Sequence, residues 1–171
     1  LIHVIRKEPP YIVHNEDDWD EIRELVENEE WAKEKAEKRI SKARKWQPRN
    51  IKQVDQAWNA AIAWQLSREK EFAEKVAEFF RIFTDPEDGY HASKRLMGGG
   101  GMVGEGSYFR TAARAYDAVR DADVFSQKDK EKIETGFRAY LDWVDRNADH
   151  VGNHPLSGVA GGLYAALAQV S

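Results

Sequence analysis

Apolar residues recur at helical spacing along most of this 171-residue chain, and short polar or glycine-rich breaks separate the runs. An extended lead-in over residues 1–14 is followed by an acidic helix start with Asn15 as its N-cap. The pattern then predicts helices over about 30–46, 51–66, 69–83, 105–119, 126–146 and 156–170. Ser126 and Asp129 form a predicted capping box. The stretch from Tyr90 to Gly104 is predicted to be a long loop.

The predicted helices alternate between charged amphipathic ones and weakly charged ones. Three weakly charged helices share a pattern of small residues that ends in an aromatic residue. The segments are Ala60-Ala61-x-Ala63-Trp64, Ala112-Ala113-x-Ala115-Tyr116 and, more loosely, Ala160-Gly161-x-Leu163-Tyr164. The offsets between them are 52 and 48 residues. A repeat made of one buried and one solvated helix is typical of stacked antiparallel helical hairpins. The sequence therefore predicts an all-α fold.

The segment Asn153-His154-Pro155 precedes the last predicted helix, and proline is favoured at the first position of a helix. Free backbone N–H groups and the helix dipole attract an anion to such an end. An amide and an imidazole beside a helix N-terminus suit a carboxylate, so Asn153 and His154 are the leading candidates for catalysis.

The repeat offsets align Asn153 with Glu105 and Gln53, each at the start of its own weakly charged helix. We expect these three helix starts to border one cleft. Tyr108 and Arg110 would lie near its rim, where Arg110 could form a bidentate pair with a carboxylate. We expect Tyr90 to belong to a lid next to the glycine run. Gln53, Tyr90, Glu105, Tyr108 and Arg110 are thus the candidate substrate-binding residues.

Composition removes several classes of function. The chain carries 26 Lys and Arg against 30 Asp and Glu, so no overall positive field recruits nucleic acid. It has no cysteine, which excludes disulfides and thiolate metal sites. No stretch is apolar for long enough to span a bilayer. No ligand spacing predicts a metal site in this segment, and no cofactor is expected in it.

Taken together, these features resemble the N-terminal part of the helical toroid of the heparinase II/III-like and related alginate polysaccharide lyases. The likeness rests on three segments: the opening run Pro10–Asp18 with Ile22-Arg23 and Trp31-Ala32-Lys33, the stretch from Ala112 to Ile133 with its Asp123-Val124-Phe125-Ser126, and the pair Asn153-His154. The resemblance implies an incomplete (α/α) toroid over residues 1–171, with further toroid helices and β-sandwich domains beyond Ser171. The end of the chain in or just after an apolar helix agrees with that expectation.

The resemblance also implies a chemistry, which is β-elimination at a uronic acid. A base removes the proton next to the carboxylate, and the 4-O-glycosidic bond then breaks. Asn153 and His154 would neutralise the carboxylate, while the acid/base tyrosine would come from beyond Ser171. We therefore expect a polysaccharide lyase, incomplete in this chain, that acts on an anionic polysaccharide in the periplasm or outside the cell.

Two other classes of function stay open. A toroidal glycoside hydrolase would need two catalytic carboxylates across a cleft, for which Glu105 is the candidate. A non-enzymatic helical-repeat scaffold would bind a partner on its concave face. An incomplete toroid exposes an apolar flank, so we expect this chain to bind the rest of the enzyme or a second copy of itself through that flank.

Overall fold

The computed structural model describes residues 12–90, 101–147 and 153–169. Within these ranges the chain forms seven α-helices and no β-strand. The helices are α1 (Glu16–Asn28), α2 (Glu30–Lys45), α3 (Val54–Ser67), α4 (Lys70–Phe83), α5 (Gly101–Asp117), α6 (Gln127–Asn147) and α7 (Asn153–Leu167). The predicted all-α class is confirmed.

Two helix starts are fixed by capping boxes, of which the sequence predicts the one at Ser126 and Asp129 and, at the other, only Asn15 as the N-cap. The Asn15 side chain accepts from the Asp18 backbone N–H at 2.7 Å, and the Asp18 carboxylate accepts from the Asn15 N–H at 2.8 Å. Ser126 and Asp129 make the same reciprocal pair before α6, with both distances at 3.1 Å. Each box satisfies backbone donors that a helix start leaves unpaired.

Helices α3, α5 and α7 lie side by side and run in the same direction. Between α3 and α5, the Gln65 side chain donates to the Ala118 carbonyl at 2.5 Å, near the C-terminal end of both. Between α5 and α7, the Ser157 hydroxyl donates to the Val103 carbonyl at 3.2 Å, near the N-terminal end of both. Farther along, Arg120 donates to the Ala168 carbonyl at 3.2 Å.

The core is built from small residues on α3 and α5 and from aromatic residues on α4, α5 and α6. The alanines of the predicted repeat are fully buried at Ala60, Ala61, Ala63, Ala112, Ala113 and Ala115. The sequence of α4 predicts an apolar stripe from its helical spacing, and this stripe is also fully buried, at Phe72, Val76, Phe79, Phe80 and Phe83. Alanine keeps the weakly charged helices close together, whereas the large rings of α4 fill the space beside them.

Helices α5 and α7 approach so closely that their backbones touch. A Cβ atom on Gly106 would lie 2.5 Å from the carbonyl carbon of Ser157. A Cβ atom on Gly161 would lie 2.5 Å from the carbonyl oxygen of Gly106. Only glycine permits this approach, because any side chain there would overlap backbone atoms that cannot move aside.

The predicted starts of α5 and α7 are wrong by about one turn. Helix α5 begins at Gly101 rather than Glu105, so part of the glycine run is helical. Glycine disfavours a helix, but packing against α7 stabilises this first turn. Helix α7 begins at Asn153, which places Pro155 in the first turn, where its missing N–H costs no hydrogen bond.

One prediction about α2 is also wrong. The helical spacing of the sequence predicts an apolar stripe of Trp31, Ala36, Ile40 and Ala43 on this helix, yet Trp31 is 54% exposed. Its neighbour Ala32 is buried instead, together with Ala36 and Ala43. The Lys35 ammonium lies 5.1 Å from the Trp31 ring centroid, a cation–π contact that suits an exposed indole.

Helix α7 carries a row of exposed apolar side chains on one face. They are Leu156, Val159, Leu163 and Leu167, each between 36% and 61% exposed. In the described part of the chain, no helix combines the length and the apolar character needed to cross a membrane.

Two glycines on α5 test the close approach of α5 to α7. We predict that Gly106→Ala lowers the free energy of unfolding by about 3 kcal/mol or more, because its methyl group meets the α7 backbone. Gly104→Ala is the matched control, since a Cβ there has no atom within 4 Å. It should be neutral or stabilising by about 0.5–1 kcal/mol. Urea denaturation measures both, and equal stability of the two variants would contradict the packing.

Candidate functional site

The N-terminal ends of α5 and α7 form the candidate site. Val103 in the first turn of α5 contacts Ser157 in the second turn of α7, and Gly106 holds the two backbones together immediately behind. A helix start leaves its first backbone N–H groups without a partner inside the helix and has a partial positive charge, so two parallel starts add their fields at one place. This end of the molecule is therefore suited to an anion.

Asn153 and His154 are the first two residues of α7. Their backbone thus belongs to the helix start that the sequence analysis singled out. Their side chains lie outside the described residues, and their predicted catalytic role stays a prediction.

Gln53 lies at the start of α3, the third parallel helix. Its side-chain oxygen accepts from the Arg49 N–H at 2.7 Å, and its amide donates to the Gln47 carbonyl at 3.4 Å. It also accepts from the Asn50 N–H, which completes a capping box around a short 3-10 turn. Gln53 is therefore used to shape the chain before α3, and its predicted contact with substrate stays a prediction.

Glu105 is buried in the core rather than displayed at a helix start. It lies one turn inside α5 and is 0% exposed. The Tyr90 hydroxyl donates to its Oε2 atom. Burial raises the pKa of Tyr140, and the charge of Glu105 raises it further. The Tyr140 hydroxyl donates to the Gly158 carbonyl of α7 at 3.0 Å. Glu105 thus belongs to a buried polar cluster between α5, α6 and α7.

This burial bears on the hydrolase alternative. That alternative depended on a carboxylate at the edge of a cleft, and the described residues place Glu105 beneath the surface. Because α5 begins four residues earlier than predicted, Glu105 lies in its second turn rather than at its start, and the predicted contact of Glu105 with substrate stays a prediction.

Tyr90 and Tyr108 lie in the aromatic core. They are 0% and 4% exposed, and their ring centroids are 5.2 Å apart in a stacked arrangement. Phe109 packs edge-on against Tyr90 and face-to-face with Tyr140, at a centroid distance of 3.8 Å in the second case. The expected positions on a rim and a lid are therefore not observed, although a role in binding stays a prediction.

Arg110 is exposed on α5, and its predicted contact with substrate stays a prediction. One turn later Arg114 lies on the same face, half-buried, with its guanidinium carbon 4.3 Å from the Trp58 ring centroid of α3. Burial lowers the pKa of Arg114, and the positive charge of Arg110 lowers it further, while Tyr164 of α7 opposes both effects.

Sequence reasoning missed Arg114. The signal was its spacing of four residues from Arg110, which places both side chains on one helix face. Trp58 of α3 is half-buried at the edge of the core.

Comparison with protein-family models and with curated proteins gives no match to this chain. Within the described residues, no three His, Asp or Glu side chains are grouped so that they could hold a metal ion. The arrangement of α3, α5 and α7 is thus the basis for inferring function.

The buried phenol of Tyr140 gives a pH-dependent prediction. Tyr140→Phe should cost about 1 kcal/mol at neutral pH, because it removes the hydrogen bond to Gly158. In the unfolded chain the Tyr140 phenol ionises above pH 10.0, the ordinary pKa of tyrosine. In the folded protein it stays protonated there, because its pKa is raised. The native protein therefore loses the stability that it has over Tyr140→Phe as the pH rises past about 10.

Urea denaturation of both proteins at neutral pH and above pH 10 checks this expectation. The difference in stability should shrink at alkaline pH. A difference that stays constant across the range would show that Tyr140 ionises as readily in the folded protein as in the unfolded one.

Proposed function

We propose that this chain is the N-terminal portion of an (α/α) toroid and belongs to a polysaccharide lyase that cleaves a uronic-acid polymer by β-elimination. The observation that carries the proposal is the parallel arrangement of α3, α5 and α7, with the starts of α5 and α7 in contact. Parallel inner helices joined by outer ones are the geometry that a toroid repeats around its axis. They direct several helix N-termini toward the same end.

An anionic substrate fits this end for an electrostatic reason. Removing the proton next to a uronate carboxylate places more negative charge on a group that is already anionic. Donors that neutralise the carboxylate lower this barrier, by a few kcal/mol each if they resemble oxyanion-hole donors. The start of α7 supplies backbone N–H groups for this purpose.

The proposal assigns roles to the two residues that begin α7. Asn153 donates its amide to the carboxylate, and His154 donates from its imidazole. The acid/base tyrosine comes from elsewhere in the enzyme, because the tyrosines near this end, Tyr90 and Tyr108, are buried. No cofactor is assigned to this segment.

Two further parts of the proposal concern surroundings and partners. We place the enzyme in the periplasm or outside the cell, where uronate polymers occur. The exposed apolar row on α7 is proposed to bind the remainder of the toroid or, in the isolated chain, a second copy.

Sedimentation of the isolated chain should then show association that grows with concentration, and a monomer at high concentration would contradict it.

The experiment uses the protein expressed from its complete gene and a panel of alginate, heparin-like and ulvan-like polymers. β-Elimination creates a conjugated double bond, so the product should absorb in the ultraviolet. Reducing ends without this chromophore would favour a hydrolase. Absence of both signals across the panel would favour a binding scaffold.

Asn153→Ala and His154→Ala should each lower turnover by about 100-fold, because each removes one carboxylate donor. Asn28→Ala is the matched control, since Asn28 is exposed at the end of α1 and donates only to the Glu24 carbonyl. Circular dichroism verifies that each variant is folded. Full activity in both site variants would overturn the assignment of these residues.

A further inference from the structure

Four residues form a cationic surface where α3, α5 and α7 meet, and we call it the Arg114 surface. It consists of Trp58, Arg110, Arg114 and Tyr164. The guanidinium of Arg114 lies over the Trp58 ring, while Arg110 and Tyr164 are its charged and polar neighbours on α5 and α7. The surface thus draws one residue or more from each of the three parallel helices.

Among the described residues, Arg110 and Arg114 differ from most other arginines in having no acidic partner. Six arginines pair with a carboxylate within 4.0 Å, namely Arg23, Arg44, Arg68, Arg81, Arg120 and Arg138. Among the described residues, neither Arg110 nor Arg114 forms such a pair. Like charges four residues apart on a helix repel each other, so this arrangement is unfavourable unless an anion compensates it.

Arg114 also contains a polar atom without a partner. Its Nε atom is buried and makes no hydrogen bond within the described part of the chain. Burying an unsatisfied donor costs free energy, and for a charged group the cost is larger. The Trp58 ring compensates part of the charge through a cation–π contact but offers no acceptor to the N–H groups.

We propose that Arg114, assisted by Arg110, binds the carboxylate or sulfate of an acidic sugar unit, and that Trp58 is the positioning residue that holds the guanidinium in its plane. A guanidinium stacked on an aromatic ring keeps the N–H groups of its edge free for a bidentate contact with an oxyanion. The inference rests on the proposed function, because that function supplies the acidic saccharide.

The Arg114 surface is separate from the start of α7. Arg114 lies eleven residues after Val103, which contacts Ser157 in the first turn or two of α7. At 1.5 Å per residue this is on the order of 16 Å along the helix. The surface therefore binds a different sugar unit from the one at Asn153 and His154, and it favours polymers in which acidic units recur.

The test follows the indole N–H signal of Trp58 by NMR in the intact protein, with Trp58→Phe used to assign it. The probes are an alginate hexasaccharide, cellohexaose as a neutral oligosaccharide, and inorganic phosphate. The proposal expects a shift of the Trp58 signal with the alginate hexasaccharide alone. A signal that does not move, that moves equally with cellohexaose, or that moves equally with phosphate overturns it.

Variants then measure affinity for the same alginate hexasaccharide. Arg114→Gln should bind about ten-fold more weakly, which corresponds to the loss of one charge-assisted contact. Arg110→Gln should also bind the hexasaccharide more weakly. Because the Arg110 side chain is exposed, this substitution should leave the fold intact. Arg138→Gln on α6 is the matched control, because its side chain is 67% exposed and lies on another helix. Equal losses in Arg138→Gln and Arg114→Gln overturn the proposal.

The outcomes separate this inference from the proposed lyase activity. If Asn153→Ala abolishes cleavage while the Trp58 signal still shifts, the two sites are distinct, as proposed. If Arg114→Gln binds and cleaves like the native protein, the Arg114 surface is not a binding site and the lyase proposal stands. If the hexasaccharide binds at the Arg114 surface but no polymer is cleaved, the lyase proposal fails and binding at this surface remains.

Discussion

The backbones of α5 and α7 touch at Gly106 and Gly161, and this contact sets the geometry of everything around it. Two helices at such a distance leave no room for side chains between them, so large groups are displaced to their flanks. The aromatic core lies on one flank, where Phe109 stacks on Tyr140. The contact also fixes the direction of α7, because it places the start of one helix beside the start of the other.

That direction produces the electrostatic character of the molecule. Parallel helices add their dipoles, whereas antiparallel neighbours would cancel them. The chain as a whole is slightly acidic, with a formal net charge of −4, so attraction of an anion depends on local features. Two such features occur on the parallel helices. One is the adjacent starts of α5 and α7, and the other is the pair Arg110 and Arg114, which have no acidic partner in the part of the chain that the structure describes. Both suit an acidic polymer that contacts the protein at several points.

Much of the fold could be predicted from the sequence, because periodicity and small-residue repeats report burial directly. The alanine repeat marked α3 and α5 as closely packed helices, the N-cap Asn15 marked the start of α1, and the capping box of Ser126 and Asp129 marked the start of α6. The start of α5 could not be predicted, because local glycine propensity favours a loop and only the contact with α7 overrides it. The same displacement explains why Glu105, expected at a cleft, lies in the core. The pairing of Arg114 with Trp58 could not be predicted either, because it joins two helices through residues that are 56 positions apart in the sequence.

The parallel contact of α5 and α7 can be measured with engineered cysteines, since the chain has none of its own. A Val103→Cys and Ser157→Cys pair joins the two helix starts, whereas Val103→Cys with Leu167→Cys joins the start of α5 to the end of α7. Mild oxidation followed by mass spectrometry reports which pair forms an intramolecular disulfide. The parallel arrangement predicts rapid closure of the 103–157 pair and none of the 103–167 pair. Preferential closure of the 103–167 pair would contradict the arrangement on which the site and its proposed substrate depend.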